Sequence, residues 1–304
     1  MGSVSTRSIL PVLKSISSTT ALGGGNITND GGIPVTARGV CWNTTGTPTL
    51  DDSHTSDGTG SDIYTSTLTD LTLDMTYYVR AYATNSLGTS YGNQQTFTQM
   101  QPVTDHDGNV YSVVTIGTQI WMGENLKTTT YNDGGIIPYV SDGNAWSTNG
   151  SPGYCWYNND EEGFKDLYGG LYNWYTVNTG KICPAGWHVP NADEFTVLIG
   201  YLGGDQVAGG KLKEAGIAHW ADPNIGATNT SGFTALPGGG RYNLYSEGGA
   251  FSDISLNAYF WSATIGTDAN NAISFNLESD LELINKSEYS KGDGGSVRCV
   301  MDRK

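Results

Sequence analysis

Two cysteine-bearing segments enclose about the last 120 residues, and they constrain the fold more than any other feature. The first is residues 183–190 (CPAGWHVP), and the second is residues 294–300 (GGSVRCV). The stretch between them is rich in Gly, Asn and Tyr and shows no helical period. A disulfide at the two ends of such a stretch would hold a binding surface built from loops, which differs from an enzyme pocket.

Composition favours a folded, β-rich or loop-rich chain. A length of 304 residues predicts two domains or one large one. The 42 glycines are about twice the usual share, while 18 Tyr and 8 Trp argue against disorder. The net charge is −15 and no cluster of Lys or Arg occurs, so neither nucleic acid nor an anionic membrane surface is an expected partner.

Targeting features are few. No run of 18 apolar residues occurs, so we expect no transmembrane segment. Residues 1–7 lack the apolar core of a signal peptide, and we interpret residues 1–8 as a tag or a disordered leader. We therefore expect any secretion signal or lipid anchor to lie outside this sequence.

The four cysteines are Cys41, Cys155, Cys183 and Cys299. None lies in a Cys-x-x-Cys motif or a Cys/His cluster, which argues against zinc. We interpret them as one disulfide, Cys183–Cys299, with Cys41 and Cys155 as buried thiols. Such a bond requires an oxidising compartment, and closing a loop of about 100 residues contributes roughly 4–5 kcal/mol in the chain-entropy model.

Residues 9–98 predict an all-β sandwich, because runs with a period of two alternate with turn clusters. Residues 71–85 (LTLDMTYYVRAYATN) resemble the last strands of a fibronectin type III domain, with Leu73 where that family usually has proline. The resemblance implies that Tyr77 bonds through its hydroxyl to upstream backbone. It also implies that this domain serves as a spacer or stalk. The predicted strands are residues 36–42, 63–68 and 76–83. In the last of these, four residues are predicted to face the core: Tyr77, Val79, Ala81 and Ala83. The residues predicted to face outward are Tyr78, Arg80 and Tyr82.

The remaining residues predict an α+β domain at 105–304, joined by a linker at 99–104. One helix is predicted at residues 166–178, from the spacing of Leu167, Leu171, Trp174 and Tyr175. A second is predicted at 192–202, capped by Asn191. A hairpin is expected within residues 105–126, and further strands near 234–236, 259–263, 272–277, 281–285 and 296–301.

Residues 105–302 resemble the Fibrobacter succinogenes major paralogous domain, a family of secreted and surface proteins. The resemblance runs through many ordered motifs, and the family resembles the C-type lectin fold and, distantly, the sulfatase-activating group that generates formylglycine. It therefore implies a C-type-lectin-like domain. The motifs are residues 107–111 (DGNVY), 121–126 (WMGENL), 168–174 (YGGLYNW), 183–190, 231–233 (SGF), 237–239 (PGG), 260–262 (FWS) and 296–300 (SVRCV).

Metal sites are not favoured. Residues 105–109 (DHDGN) have Gly at the fourth position and no distal Glu, so a turn capped by Asp fits them better than a calcium loop. The calcium-binding motifs of lectins are missing, and residues 158–162 (NNDEE) fit a solvated acidic loop. We expect no metal and no cofactor, although a structural cation is compatible with the sequence.

Enzymatic activity is not expected. The sulfatase-activating relatives need redox-active cysteines, and no closely spaced pair occurs here. The histidines form no nucleophile motif with Ser or Cys, and we interpret His188 as a packed structural residue.

The predicted ligand-binding region is residues 241–293, whose Tyr, Ser, Gly and Asn are typical of adaptable binding surfaces. In an extended segment, alternate residues from Leu281 to Tyr289 share one face. We predict a single exposed patch that binds a protein or a glycan at a cell surface. Its residues are Tyr242, Leu244, Tyr245, Tyr259, Phe260, Leu281, Leu283, Asn285, Ser287 and Tyr289.

The sequence thus predicts a secreted or surface-displayed binding or adhesion protein of a bacterium or phage. A further hypothesis is that a diversity-generating retroelement varies the patch, since such systems use folds of this kind. The alternatives are a structural surface or pilus component without a dedicated ligand, an ordinary adhesin with Tyr259 and Phe260 in its core, and an enzyme like the sulfatase activators.

Overall fold

The structure is a computed structural model that describes residues 5–7, 13–243 and 248–302, the first three by their backbone. It divides the chain into two compact units. The first comprises Met1–Pro102 with Ser112–Thr115, and the second comprises Val103–Tyr111 with Ile116–Lys304. In the described part of the chain, no helix is long and apolar enough to cross a membrane.

The first unit is a sandwich of two antiparallel sheets, as the alternating runs predict. Its strands are β1 (Ser5–Arg7), β2 (Lys14–Ser15), β3 (Ala21–Asn29), β4 (Ala37–Asn43), β5 (Ser53–His54), β6 (Asp62–Leu68), β7 (Thr76–Asn85), β8 (Gly88–Tyr91) and β9 (Gln95–Thr98). In one sheet β3 pairs with β1, β2 and β6; in the other, β4 pairs with β5 and β7, and β7 pairs with β8 and β9. β1 lies in the segment expected to be a tag or a disordered leader, and its three residues form a strand.

Tyr77 forms the predicted corner, because its hydroxyl accepts a 2.9 Å hydrogen bond from the backbone N–H of Thr72. The four residues predicted to face the core are buried. The outward placement of Tyr82 is wrong: it is buried, and its hydroxyl donates to the Thr55 carbonyl at 2.6 Å. Gln99, assigned to the linker, is also buried and donates to the Ser17 carbonyl, so it belongs to the sandwich.

Short strands and short helices make up the described chain from residue 103 onward. Its strands are β10 (Val103–Thr104), β11 (Val110–Tyr111), β12 (Val113–Ile116), β13 (Gln119–Met122), β14 (Tyr154–Cys155), β15 (Leu171–Asn173), β16 (Trp187–His188), β17 (Gly238–Arg241), β18 (Phe251–Ile254), β19 (Asn257–Ile265), β20 (Asn271–Glu278), β21 (Ile284–Ser290), β22 (Gly294–Gly295) and β23 (Val300–Met301). Its helices are α1 (Gly143–Ser147), α2 (Glu161–Tyr168), α3 (Trp174–Val177), α4 (Ala192–Tyr201) and α5 (Asp205–Leu212), with a 3₁₀ turn at Tyr157–Asn159.

The largest sheet of the second unit has the order β14-β15-β22-β17-β19-β20-β21, and β18 also pairs with β17. β17 and β19 run parallel, whereas β19, β20 and β21 form an antiparallel meander at one end of the sheet.

The strands predicted at residues 259–263 and 272–277 fall within β19 and β20. The strand predicted at 296–301 is wrong for its first four residues, because only Val300–Met301 pairs as a strand. The strand predicted at 234–236 is also wrong, since Ala235 makes only an isolated bridge to Lys213.

The helix predicted at residues 166–178 is wrong. α2 ends at Tyr168, the chain passes through β15, and α3 begins at Trp174. Gly169 causes the break: its φ is +77°, and a Cβ there would lie 2.6 Å from the Leu126 carbonyl oxygen.

The helix predicted at residues 192–202 is confirmed as α4. The Asn191 side chain accepts from the backbone N–H groups of Asp193 and Glu194, and the Glu194 carboxylate accepts from the N–H of Asn191. This reciprocal capping box satisfies N–H groups that would otherwise lack partners. The buried Phe195 and Leu198 form its inner face. α1 and α5 were not predicted.

The disulfide joins Cys183 to Cys299, across a sequence separation of 116 residues, with a Cα–Cα distance of 6.0 Å. The predicted pairing is therefore confirmed. Cys41 and Cys155 are buried free thiols, as expected. Burial raises the pKa of Cys41 to about 11 and that of Cys155 to about 12, so both stay protonated at neutral pH.

Candidate binding surface

The meander brings four residues of the predicted patch to one face of the sheet: Tyr259, Asn285, Ser287 and Tyr289. Tyr259 on β19 lies opposite Asn276 on β20, and Asn276 lies opposite Asn285 on β21. Residues directly opposite each other in antiparallel strands project to the same face. Ser287 and Tyr289 follow Asn285 at intervals of two, so they share that face, as predicted for these residues.

Three tyrosines from separate segments meet on this face. The rings of Tyr242 and Tyr259 lie 6.3 Å apart at 79°, and those of Tyr259 and Tyr289 lie 5.5 Å apart at 69°. Both pairs have the edge-to-face geometry that aromatic rings favour. We call these three residues, with Asp253 and Asn257, the tyrosine surface.

Asp253 holds two of the rings in place. Its Oδ2 accepts hydrogen bonds from the hydroxyls of Tyr242, at 2.5 Å, and Tyr259, at 2.9 Å. Asn257 donates to the Tyr259 hydroxyl at 2.7 Å. Burial and the nearby Asp253 carboxylate raise the pKa of the Tyr242 and Tyr259 hydroxyls, which therefore remain neutral donors. The rings are thus oriented before any ligand binds.

A narrow crevice opens between the three rings, with Trp261 and Ser274 in its lining. Its volume of about 10 Å³ is close to the space one water molecule needs. The crevice is therefore a point of contact rather than an enclosing pocket.

Asp293 also lines the crevice. Burial raises the pKa of its carboxyl to about 6, even though its Oδ1 accepts a 2.7 Å hydrogen bond from the backbone N–H of Asn243. The Oδ1 of Asn243 is buried without a hydrogen-bond partner among the described residues. Acceptor atoms are therefore concentrated at this end of the surface.

Three of the predicted site residues that the structure describes do not belong to the face. The exposure predicted for Phe260 is wrong: it is 1% exposed and packs edge-on against Phe233, because alternation turns it away from Tyr259. Leu281 and Leu283 precede β21 and lie half-buried in a bend, so the extended segment predicted from Leu281 begins only at Ile284. Leu244 and Tyr245 lie outside the described residues.

The guanidinium of Arg241, next to the tyrosine surface in the sequence, is buried. Arg241, next to Tyr242, donates to the carbonyls of Gly249, Val140 and Ser141 at 2.7–2.9 Å. Its guanidinium also lies over the rings of Trp146 and Phe251, at 4.8 and 4.6 Å. Arg241 therefore ties the segment before Tyr242 to a distant loop.

Two further buried cations bind backbone carbonyls. The ammonium of Lys213 donates to the carbonyls of Ile225, Glu278 and Leu281 at 2.7–2.9 Å. It thereby fixes the turn between β20 and β21. The guanidinium of Arg298 donates to the Phe233 carbonyl and to Asn125.

Sequence reasoning missed Asp253, Asn257, Asn276 and Asp293 as members of the site. Asn257 and Tyr259 are two positions apart in one strand, and the alternation of side chains along a strand indicates that they share a face. Asp253 gave no indication, because its role depends on a φ of +66° and on contacts with Tyr242 and Tyr259 that form only in the folded chain.

Acidic segments considered as metal sites serve as local caps. Asp105 Oδ1 accepts from the backbone N–H groups of Asp107 and Asn109, which is the predicted turn. Asp160 caps α2 by accepting from the Gly163 N–H. Within residues 13–243 and 248–302, no group of three His, Cys, Asp or Glu side chains is placed to hold a metal ion.

Comparison with protein families gives a match to the Fibrobacter succinogenes major domain over residues 114–301. The match covers more than half of the chain. The chain belongs to this family. The matched segment contains both disulfide cysteines and the whole tyrosine surface. No curated protein matches the chain.

Solved structures similar to this chain include fibronectin domains. A fibronectin type III domain derived from human KIAA0970 protein is 21% identical, with 33% of this chain and 77% of that one covered and a TM-score of 0.23. The chicken CNTN1 FN1–FN3 domains are 18% identical, with 36% and 38% covered and a TM-score of 0.24. A myokine structure is 14% identical, with 32% and 98% covered and a TM-score of 0.26. Because these scores are low, the assignment of the sandwich rests on its strand pairing and on Tyr77.

Proposed function

We propose that this protein is a secreted or surface-displayed binding protein of a bacterium or phage, and that its second unit binds a partner through the tyrosine surface. One observation carries the proposal: Tyr242, Tyr259 and Tyr289 come from three separate segments and meet around one crevice. Asp253 orients two of the rings.

Tyrosines arranged in this way suit recognition of a macromolecule or a glycan. Each ring offers a large amphipathic area and has few rotatable bonds to immobilise on binding. Fixing the rings beforehand lowers the entropic cost further. The carboxylates and amides around them supply hydrogen bonds to hydroxyl or amide groups of a partner.

We also propose that the second unit has a C-type-lectin-like fold. The positions of the disulfide cysteines support this, since Cys183 precedes β16 and α4 and Cys299 precedes the strand β23 that pairs with β16. These are the places that the sequence resemblance gives them.

A binding role fits the cysteines better than a catalytic one. Cys183 and Cys299 are joined, and the free thiols of Cys41 and Cys155 are buried with raised pKa values. A nucleophilic cysteine needs the opposite conditions, an accessible thiol with a lowered pKa. The disulfide also supports an oxidising location outside the cytoplasm.

Diversification by a retroelement is part of the proposal. Tyr242, Asn257, Asn285, Ser287 and Tyr289 are half-buried positions in the C-terminal part of the chain, where changes leave the apolar core intact. Sequencing the locus tests this: a nearby reverse transcriptase and a near-copy of the 3′ end are expected. Absence of both would contradict it.

An array of glycans and cell-surface proteins tests the binding function itself. The full chain is expected to bind a restricted set of array members. If it binds none of them, a structural role in a surface or pilus assembly becomes the better explanation.

A further inference from the structure

A second concave site lies away from the tyrosine surface. It is a groove of about 880 Å³ lined by residues 118–120, 185–187 and 300–302, together with Glu194. Its volume falls in the range of sites for small ligands, and it shares no lining residue with the crevice. Much of its lining is apolar, from Ile120, Ala185, Trp187, Val300 and Met301.

One buried acceptor in the lining has no partner. Gln119 is 4% exposed, and its Nε2 donates to the Glu194 carbonyl at 3.0 Å, which fixes the orientation of the amide. The Oε1 of Gln119 has no hydrogen-bond partner among the residues that the structure describes. A buried acceptor left unpaired is unfavourable, and a donor from a ligand would satisfy it.

The charges of the groove are predominantly negative. Glu194 and Asp302 both line it, and both contact His188. The Nδ1 of His188 lies 2.6 Å from Asp302, and its Nε2 lies 2.9 Å from Glu194. Burial disfavours the charged ring, but these hydrogen bonds outweigh it and raise the pKa of His188. Even with His188 protonated, the two carboxylates leave this cluster with an excess of negative charge.

We propose that this groove binds an ammonium or guanidinium group carried on an apolar stem, as presented by a Lys or Arg side chain of a partner peptide. The cationic group lies in the field of the Glu194 and Asp302 carboxylates and donates an N–H to Gln119 Oε1. The methylene groups of the stem pack along Trp187, Ile120 and Met301. Charge complementarity favours this occupant, because the charged lining carries a net negative charge and the apolar walls match a short alkyl chain.

The test uses the full chain and three probes that differ only in the head group: n-hexylammonium, n-hexanol and hexanoate. Binding is followed by chemical shifts of groove residues in NMR titrations. Hexylammonium is expected to bind at least ~10-fold more tightly than hexanol, and hexanoate is expected to bind more weakly than either. Equal affinities for hexylammonium and hexanol, or no binding by hexylammonium, would overturn the proposal.

Variants separate the groove from general electrostatic attraction. Asp302→Asn with Glu194→Gln is expected to weaken hexylammonium binding at least ~10-fold. Asp193→Asn is the matched control, since Asp193 is an exposed acidic residue in the same helical turn that does not line the groove. The affinity of this variant for hexylammonium is expected to stay within about twofold of the wild-type value. If the double variant fails to fold, Asp302→Asn alone decides, because 55% of the Asp302 side chain is exposed. Unchanged affinity in the variant that folds would contradict the proposal.

Discussion

Tyr259 donates a 2.9 Å hydrogen bond to Asp253, which joins a central strand residue to a residue with left-handed backbone geometry. A non-glycine residue with positive φ is uncommon, although Asp tolerates it better than most residues. The position of Asp253 therefore fixes the position of the Tyr259 hydroxyl. The ring packs edge-to-face with Tyr289, so the geometry of the surface is set before binding.

The hydroxyl of Tyr242 is predicted to contribute to stability through the same carboxylate. Tyr242→Phe removes a donor to Asp253 and is expected to lower the free energy of unfolding by about 1–2 kcal/mol. Urea denaturation followed by tryptophan fluorescence measures this, since seven of the eight tryptophans lie after residue 102. Tyr201→Phe is the control, because Tyr201 is 66% exposed, and a change below about 0.5 kcal/mol is expected there. Equal effects in the two variants would contradict the role of the hydrogen bond.

Asp293 is predicted to make stability depend on pH. Its pKa is raised from about 3.9 in the unfolded chain to about 6 in the folded one, so the folded state holds the proton more tightly. The contribution is fully present below about pH 4 and is lost as the pH rises through about 6. Asp293→Asn is expected to remove this dependence and to stabilise the protein at pH values above that range.

The measurement for Asp293 is a set of urea denaturation curves between about pH 4 and pH 8, which spans both pKa values. Asp268→Asn, at an exposed loop position, is the matched control for the loss of one carboxylate, and its effect on the profile is expected to be smaller than that of Asp293→Asn. A profile for Asp293→Asn that parallels the wild-type profile would show that another group is responsible.

Lys213 is predicted to act as an internal cation for the turn before β21. Lys213→Met removes the donor to three carbonyls and is expected to cost at least ~2 kcal/mol of unfolding free energy. Lys286→Met, at an exposed position of β21, is expected to change it by less than about 0.5 kcal/mol. Urea denaturation compares the two, and similar values for both would argue against the internal cation.

The disulfide is predicted to stabilise the second unit substantially. Replacing both Cys183 and Cys299 with Ser is expected to cost about 4–5 kcal/mol in the chain-entropy model. Thiol counting by mass spectrometry in denaturant should give two free thiols without reductant and four with it, since Cys41 and Cys155 are unpaired. Four free thiols in both conditions would contradict the disulfide.

Local patterns predicted the elements whose contacts are local. The capping of α4 depends on Asn191 and Glu194, three positions apart, and both residues are visible in the sequence. The corner at Tyr77 was implied by the resemblance to fibronectin type III domains, and its partner Thr72 is five residues away. The prediction of a helix at residues 166–178 was wrong because the φ of Gly169 and its contact with Leu126 depend on the tertiary fold.

The site was predicted only in part, for related reasons. Alternation placed Asn285, Ser287 and Tyr289 on one face, and the same rule applied to β19 would have turned Phe260 inward. The buried positions of Arg241 and Lys213 were not foreseen. A sequence shows their charges, whereas the carbonyl groups that bind them come from distant segments that meet only on folding.

The most direct test compares variants of the tyrosine surface on the ligands that the array identifies. Tyr259→Ser combined with Tyr289→Ser is expected to lower affinity at least ~10-fold, because tyrosines at the centre of an interface carry much of its energy. Tyr201→Ser, an exposed tyrosine outside the tyrosine surface, is expected to bind like the wild type. Unchanged affinity in the double variant, with circular dichroism showing a native fold, would contradict the claim that this surface binds the partner.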